Sequence, residues 1–194
     1  MGDSDRKWHK TRGMGRSTQF QGDSEMKKTT YVMCCAMLGC AAVMVPVKAK
    51  AATDDDKKFL AMASQSDVNE IKLSELAEQK ATAPAVKAFA KKMVVEHKMM
   101  SASMKPFAET WGLTAPMDMD SGHQSEWNKL NGLSGKDFDK EYIDAMVSDH
   151  TKALSAFTTE VKDTKNAKFK AAVIKGKSHV AAHKNMAYDL KKKM

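Results

Sequence analysis

Four stretches between residues 53 and 192 carry apolar side chains spaced three and four positions apart, and each of these seams is broken near its middle by a histidine or a glutamate. Such spacing puts the apolar residues on one helical face. The first seam reads Phe59, Ala63, Ser66, Glu70, Leu73, Ala77. The second reads Val86, Ala90, Met93, His97, Met100, Met104, Phe107, Trp111. The third reads Ile143, Met146, His150, Ala153, Phe157, and the fourth Phe169, Ala172, Gly176, His179, His183, Met186, Leu190. Helix breakers are scarce, with 4 prolines and 10 glycines in 194 residues, and those present fall where helices should stop or start.

The predicted helices run from about Thr53 to Ala81, Pro84 to Trp111, Ser134 or Lys136 to Asp163, and Asn166 to Lys192. Thr53 is a good N-cap, and Asp54, Asp55 and Asp56 complement the positive end of the first helix. Pro84 suits a first turn, and Gly112 suits the position just past a C-terminus. The first and third connections are very short, so each joins antiparallel neighbours. The link Leu113–Gly135 is long, with room for one short helix near Gln124–Leu130, and suits a crossing between two helical hairpins. The expected fold is all-α: an antiparallel four-helix bundle with a longer link between the second and third helices.

Helix length then fixes depth. In an up-down-up-down bundle, Glu70 lies about 11 residues before the end of its helix, His97 about 13 after the start of the next, and His150 about 13 before the end of the third. His179 and His183 lie about 13 and 17 residues into the fourth. At roughly 1.5 Å per residue these heights agree within about one and a half turns. Glu70, His97, His150 and His183, with His179 as substitute, are therefore expected in one central layer. A weak internal repeat points the same way: Phe89–His97 (FAKKMVVEH) matches Tyr142–His150 (YIDAMVSDH) in aromatic, methionine, valine, acid and histidine.

Buried polar groups need partners, and two readings satisfy these. The groups can hydrogen-bond one another without metal, with Glu70 accepting from a histidine and Tyr142 helping. Alternatively they hold a divalent metal ion, since imidazole and carboxylate suit iron, zinc, manganese or copper. The Glu-x-x-His pattern of di-iron bundles is missing, because Val94 and Val147 stand three residues before His97 and His150. Glu96 and Asp149, adjacent to those histidines, point about 100° away around their helices. A ferritin-like redox or stress-protection enzyme is thus the second reading. A third is copper handling by Met93, Met99, Met100 and Met104 with Met117, Met119 and His123 of the link, because thioethers and imidazoles suit copper(I). The chain contains neither a Gly-x-Ser-x-Gly elbow nor a phosphate-cradling glycine loop.

The N-terminal part reads as an export segment. Met26-Lys27-Lys28 opens it, an apolar run from Tyr31 to Val47 follows, and Ala49-Lys50-Ala51 offers a small-residue cleavage site. On that reading residues 1–25 are an upstream extension, 26–51 a signal peptide and 52–194 the bundle domain. An uncleaved anchor and a lipoprotein box at Cys40 are the alternatives. All three cysteines, Cys34, Cys35 and Cys40, lie in the apolar run, so the bundle has no disulfide and no thiolate. The charge of +8 divides unevenly: nine Lys/Arg against four Asp/Glu fall in residues 1–51, leaving 23 against 20 for the rest. Mixed charge on helix faces argues against a nucleic-acid partner. Lys191-Lys192-Lys193 opposes a helix dipole and is compatible with peripheral envelope contact.

Several residues together carry a resemblance to a known family. Met93-Val94-Val95-Glu96-His97, then Phe138-Asp139-x-x-Tyr142 with Met146-Val147-x-Asp149-His150, then His183 with Leu190 seven residues on, resemble a bacterial family catalogued as domain of unknown function 4142. The resemblance spans about residues 54–190. It implies export, an outer-membrane label, a four-helix bundle placed among ferritin-like proteins, and His183 rather than His179 as the matching position. The family usually has aspartate where this chain has Glu96. No reaction is established for it, so no catalytic role carries over. The sequence reading is an exported periplasmic or envelope bundle of non-enzymatic or uncharacterised role, in which Glu70, His97, His150 and His183 either satisfy one another by hydrogen bonds or hold a metal ion.

Overall fold

A computed structural model describes residues 51–194. The expected export segment and upstream extension fall outside the described residues. Among the described residues the secondary structure is wholly helical: α1 (Asp54–Lys80), α2 (Pro84–Trp111), α3 (Ser121–Gly132), α4 (Gly135–Asp163) and α5 (Ala167–Lys191). No described helix is long and apolar enough to cross a membrane.

The helix ends follow local chemistry. Thr53 Oγ1 accepts the Asp56 N–H at 3.1 Å while Asp56 Oδ2 accepts the Thr53 N–H at 2.8 Å, a reciprocal capping box. Pro84 occupies the first turn of α2, and Gly112 ends it with φ 69° in the left-handed region. Asn166 caps α5 through the Phe169 N–H.

Four long helices pack as a ring in which α1 neighbours α2 and α4, while α5 neighbours α2 and α4. The order differs from simple up-down-up-down. Asp139, near the start of α4, accepts the backbone N–H of Thr82 at 2.9 Å and of Ala83 at 2.8 Å, and the Thr82 hydroxyl at 2.7 Å. Thus α4 starts beside the α1–α2 turn, at the end opposite the one where α2 stops. The link therefore climbs the bundle, and α3 packs on α1 and α4 along the way. Asn69 donates to Asp120 at the start of α3, and Lys80 reaches the Asn131 carbonyl at its end. The bundle is antiparallel, with one long crossover between two hairpins.

Its core has two apolar clusters. One gathers Leu73, Ala77, Val86, Phe89, Met93, Phe138, Tyr142, Ile143 and Met146 near the α1–α2 turn. The other gathers Phe59, Leu60, Met100, Met104, Phe157, Phe169 and Val173 at the far end. On every long helix the residues between the two clusters are polar: Asp67 and Glu70, His97, His150, and His183. The seam of α5 is displaced from the sequence reading. Phe169, Gly176 and His183 are buried as expected, but Val173, Val180 and Ala187 complete the face instead of Ala172, His179 and Met186. Spacing of three and spacing of four both fit this alanine-rich helix, and packing selects the second set. Gly176 makes close approach possible, since a Cβ there would lie 2.6 Å from the Phe157 ring.

Candidate metal centre

His97, His150 and His183 meet at mid-height. Their ring centroids are 5.5 Å (His97–His150), 5.1 Å (His97–His183) and 5.3 Å (His150–His183) apart, and all three side chains are buried. The crossover inverts the direction of α4 relative to the expected topology, yet the layer survives, because each histidine lies near the middle of its helix.

Every ring has one anchored nitrogen. His150 Nδ1 lies 2.8 Å from the Met146 carbonyl; a carbonyl only accepts, so Nδ1 carries the proton. His183 Nε2 lies 2.5 Å from Glu96 Oε2. Burial pushes the Glu96 carboxyl up, but Lys92 and His183 outweigh it and hold it at about 2, so Glu96 is an acceptor and His183 Nε2 the donor. His97 Nδ1 lies 2.9 Å from Asp67 Oδ1. Burial raises Asp67 well above the ordinary carboxylate range and lowers His97 to about 4.

The opposite nitrogens are orphans. His97 Nε2, His150 Nε2 and His183 Nδ1 are all buried with no hydrogen-bond partner. One nitrogen from each ring lies within 4.8 Å of the other two. Burial, with the neighbouring imidazoles adding to it, lowers His150 to about 3. Burial also outweighs Glu96 and lowers His183 to about 4. The cluster is therefore three neutral imidazoles at pH 7, each a lone-pair donor or a weak hydrogen-bond donor.

Glu70 reaches the expected height but a different side. Its Oε1 is 3.7 Å from His150 Nδ1, the anchored nitrogen, and its buried Oε2 has no partner. Burial, reinforced by Asp149, raises its carboxyl well above the usual range. The convergence is of three imidazoles, with Glu70 behind one of them. Tyr142, a candidate helper, instead bonds the Ser74 hydroxyl at 2.8 Å. His179 lies outside the layer: it is partly exposed, and its Nδ1 is 3.5 Å from Glu96 Oε2. The methionines are dispersed. Met93, Met100 and Met104 fill the apolar clusters, whereas Met99 and Met117 are exposed.

Two supporting residues, Asp67 and Glu96, were missed in the sequence. Asp67 is one turn before Glu70, a spacing that could have found it. Glu96 does point away from the His97 seam, but that direction faces α5 and His183.

A crossover four-helix bundle with a buried tri-imidazole layer is the class these features define. The chain belongs to the family described as "Domain of unknown function (DUF4142)", whose profile matches residues 42–190. Among solved structures, a DUF305 fragment from Deinococcus radiodurans superimposes with a TM-score of 0.64 at 11% identity, covering 75% of this chain and 100% of that one. A DUF305 protein from Streptomyces coelicolor gives 0.62 at 17% identity, covering 72% and 93%. CopM in its Cu(II)-bound form gives 0.61 at 21% identity, covering 71% and 96%. Likeness at these identities is likeness of fold. No curated protein matches the sequence.

Proposed function

We propose that this chain is an exported, non-enzymatic metal-binding bundle that holds one zinc or copper ion at His97, His150 and His183, with Glu70 the adjoining buried carboxyl. The observation carrying this reading is that three adjacent buried rings each keep one nitrogen without a partner and each bring a nitrogen within 4.8 Å of the other two. A native core rarely leaves one such atom unsatisfied, and each costs about 1–3 kcal/mol when it does. Three together form a lone-pair pocket that a cation satisfies at once.

The anchored nitrogens support the same reading. Imidazole ligands usually hold their second nitrogen to a carboxylate or carbonyl, which fixes ring orientation and strengthens the donor. Asp67, Met146 and Glu96 supply that support here. An all-imidazole donor set favours zinc or copper over manganese, which prefers carboxylate oxygen. Metal–imidazole bonds of about 2.0–2.1 Å place ligand nitrogens roughly 3.4 Å apart in a tetrahedral site, a separation compatible with nitrogens lying within 4.8 Å of one another. CopM, which shares the fold, is described in a Cu(II)-bound form; copper(II) is therefore tested beside zinc. Export rests on the basic opening and apolar run of Met26–Val47.

The test is calorimetric titration with zinc and copper(II), paired with elemental analysis after dialysis. The wild type should retain one ion more than His150→Ala and His97→Gln do, with helical circular dichroism preserved. Equal uptake by wild type and both variants overturns the assignment.

A further inference from the structure

Outside the histidine layer a second group converges on the face formed by α1, α3 and α4. His123 and Glu126 stand three residues apart on α3, hence on one side of that helix, and Asp149 comes from α4. One ligand atom of each lies within 4.8 Å of the other two. We propose that His123, Glu126 and Asp149 form a separate, solvent-accessible site for a borderline divalent cation such as zinc.

The imidazole is oriented for this role. His123 Nδ1 lies 3.0 and 2.9 Å from the two Asp120 oxygens and 3.0 Å from Asn69 Nδ2, so the Asp120 carboxylate holds one nitrogen and turns the other outward, as supporting carboxylates do at histidine metal sites. That second nitrogen, Nε2, faces Asp149 Oδ2 at 3.6 Å. The separation is too long for a hydrogen bond. It is close to the roughly 3.4 Å edge between two ligands of one tetrahedral ion with bonds of about 2.1 Å. Lys152 Nζ pairs with the other oxygen, Asp149 Oδ1, at 3.0 Å, which leaves Oδ2 for the space shared with His123.

Access is open. A cavity of about 390 Å³ is lined by Asp120, His123, Asp149 and Asn69 among others, whereas the histidine layer is enclosed by the four helices. One nitrogen and two carboxylate oxygens make a harder donor set than three imidazoles, so the two sites differ in preference: the outer one takes zinc, manganese or cobalt(II) with little advantage for copper(I).

The two sites also separate by mutation. Zinc titration by calorimetry, repeated with cobalt(II) followed by visible absorption, should show an ion that is lost from His123→Ala, bound at least tenfold more weakly by Glu126→Gln, and retained by His150→Ala. Glu126 is partly exposed, so its isosteric change leaves the fold intact even if His123→Ala loosens α3. Persistence of that ion at unchanged affinity in both His123→Ala and Glu126→Gln overturns the proposal and leaves His123 as an imidazolium clasped by Asp120 and Asp149. Loss of an ion from His150→Ala alone speaks only to the buried layer.

Discussion

His183 Nε2 on α5 lies 2.5 Å from Glu96 Oε2 on α2, so the residue next to one histidine of the layer orients another. Glu96 is itself held by Lys92 one turn earlier. The chain Lys92–Glu96–His183 thus fixes which nitrogen of His183 is left without a partner.

Glu96→Gln should weaken metal binding without unfolding the bundle. The amide keeps the shape but loses the charge that strengthens His183 as a donor. Loss of such a supporting partner typically costs about 10–100-fold in affinity. Competition with a chromogenic chelator measures it; unchanged affinity would show that Glu96 does not tune the site.

Four buried or half-buried histidines should titrate in two distinct ways. His97, His150 and His183 are lowered to about 4, 3 and 4, principally by burial. Their ring resonances should stay constant from pH 8 to pH 5 in metal-free protein. His123 is raised to about 9 by Asp149 and, against the opposing effect of burial, by Asp120. In the metal-free protein it should remain protonated at pH 8, with a bound cation displacing the proton from Nε2. Two-dimensional NMR of the imidazole nitrogens reads both.

The raised His123 links stability to pH. Its folded-state value exceeds the unfolded 6.5, so its contribution is fully present below pH 6.5 and is lost as pH rises through 9. The shift corresponds to about 3 kcal/mol, reduced to about 1–2 kcal/mol by water screening at a partly exposed side chain. Urea denaturation at pH 6 and pH 10 should show this loss in the wild type and a smaller one in His123→Ala.

Asp139 ties the start of α4 to the α1–α2 turn through three accepted hydrogen bonds. Asp139→Ala leaves two backbone N–H groups without that partner and should cost about 2–3 kcal/mol. Thermal unfolding should register the loss, while metal stoichiometry at 20 °C stays the same. A parallel loss of metal would mean the turn and the histidine layer are coupled.

Much of this architecture was legible in the sequence, for identifiable reasons. Capping residues and the near absence of breakers set α1 and α2 within a residue of their observed limits. His97, His150 and His183 were placed together because mid-helix residues of similar-length helices share a height whichever way the helices run. The long link reads as a crossing between two hairpins, but its direction along the bundle does not show in one helix's pattern, because it is set by Asp139 contacting Thr82 across 57 residues. Glu70 was placed at the correct height but not the correct side, since height does not fix rotation about the helix axis. Asp67 and Glu96 act across helix interfaces, and a single helix's periodicity says nothing of what faces its flank. Asp149 was dismissed for pointing away from the His150 seam, yet that direction leads to α3 and His123.

The central claim is that three neutral imidazoles form one inner shell. X-ray absorption of zinc-loaded His123→Ala protein, in which the outer site is disabled, tests it most directly. The account predicts one bound zinc with three imidazole nitrogens at about 2.0–2.1 Å and no sulfur. A zinc shell of oxygens with fewer than two imidazoles, or no retained zinc at all, would contradict it.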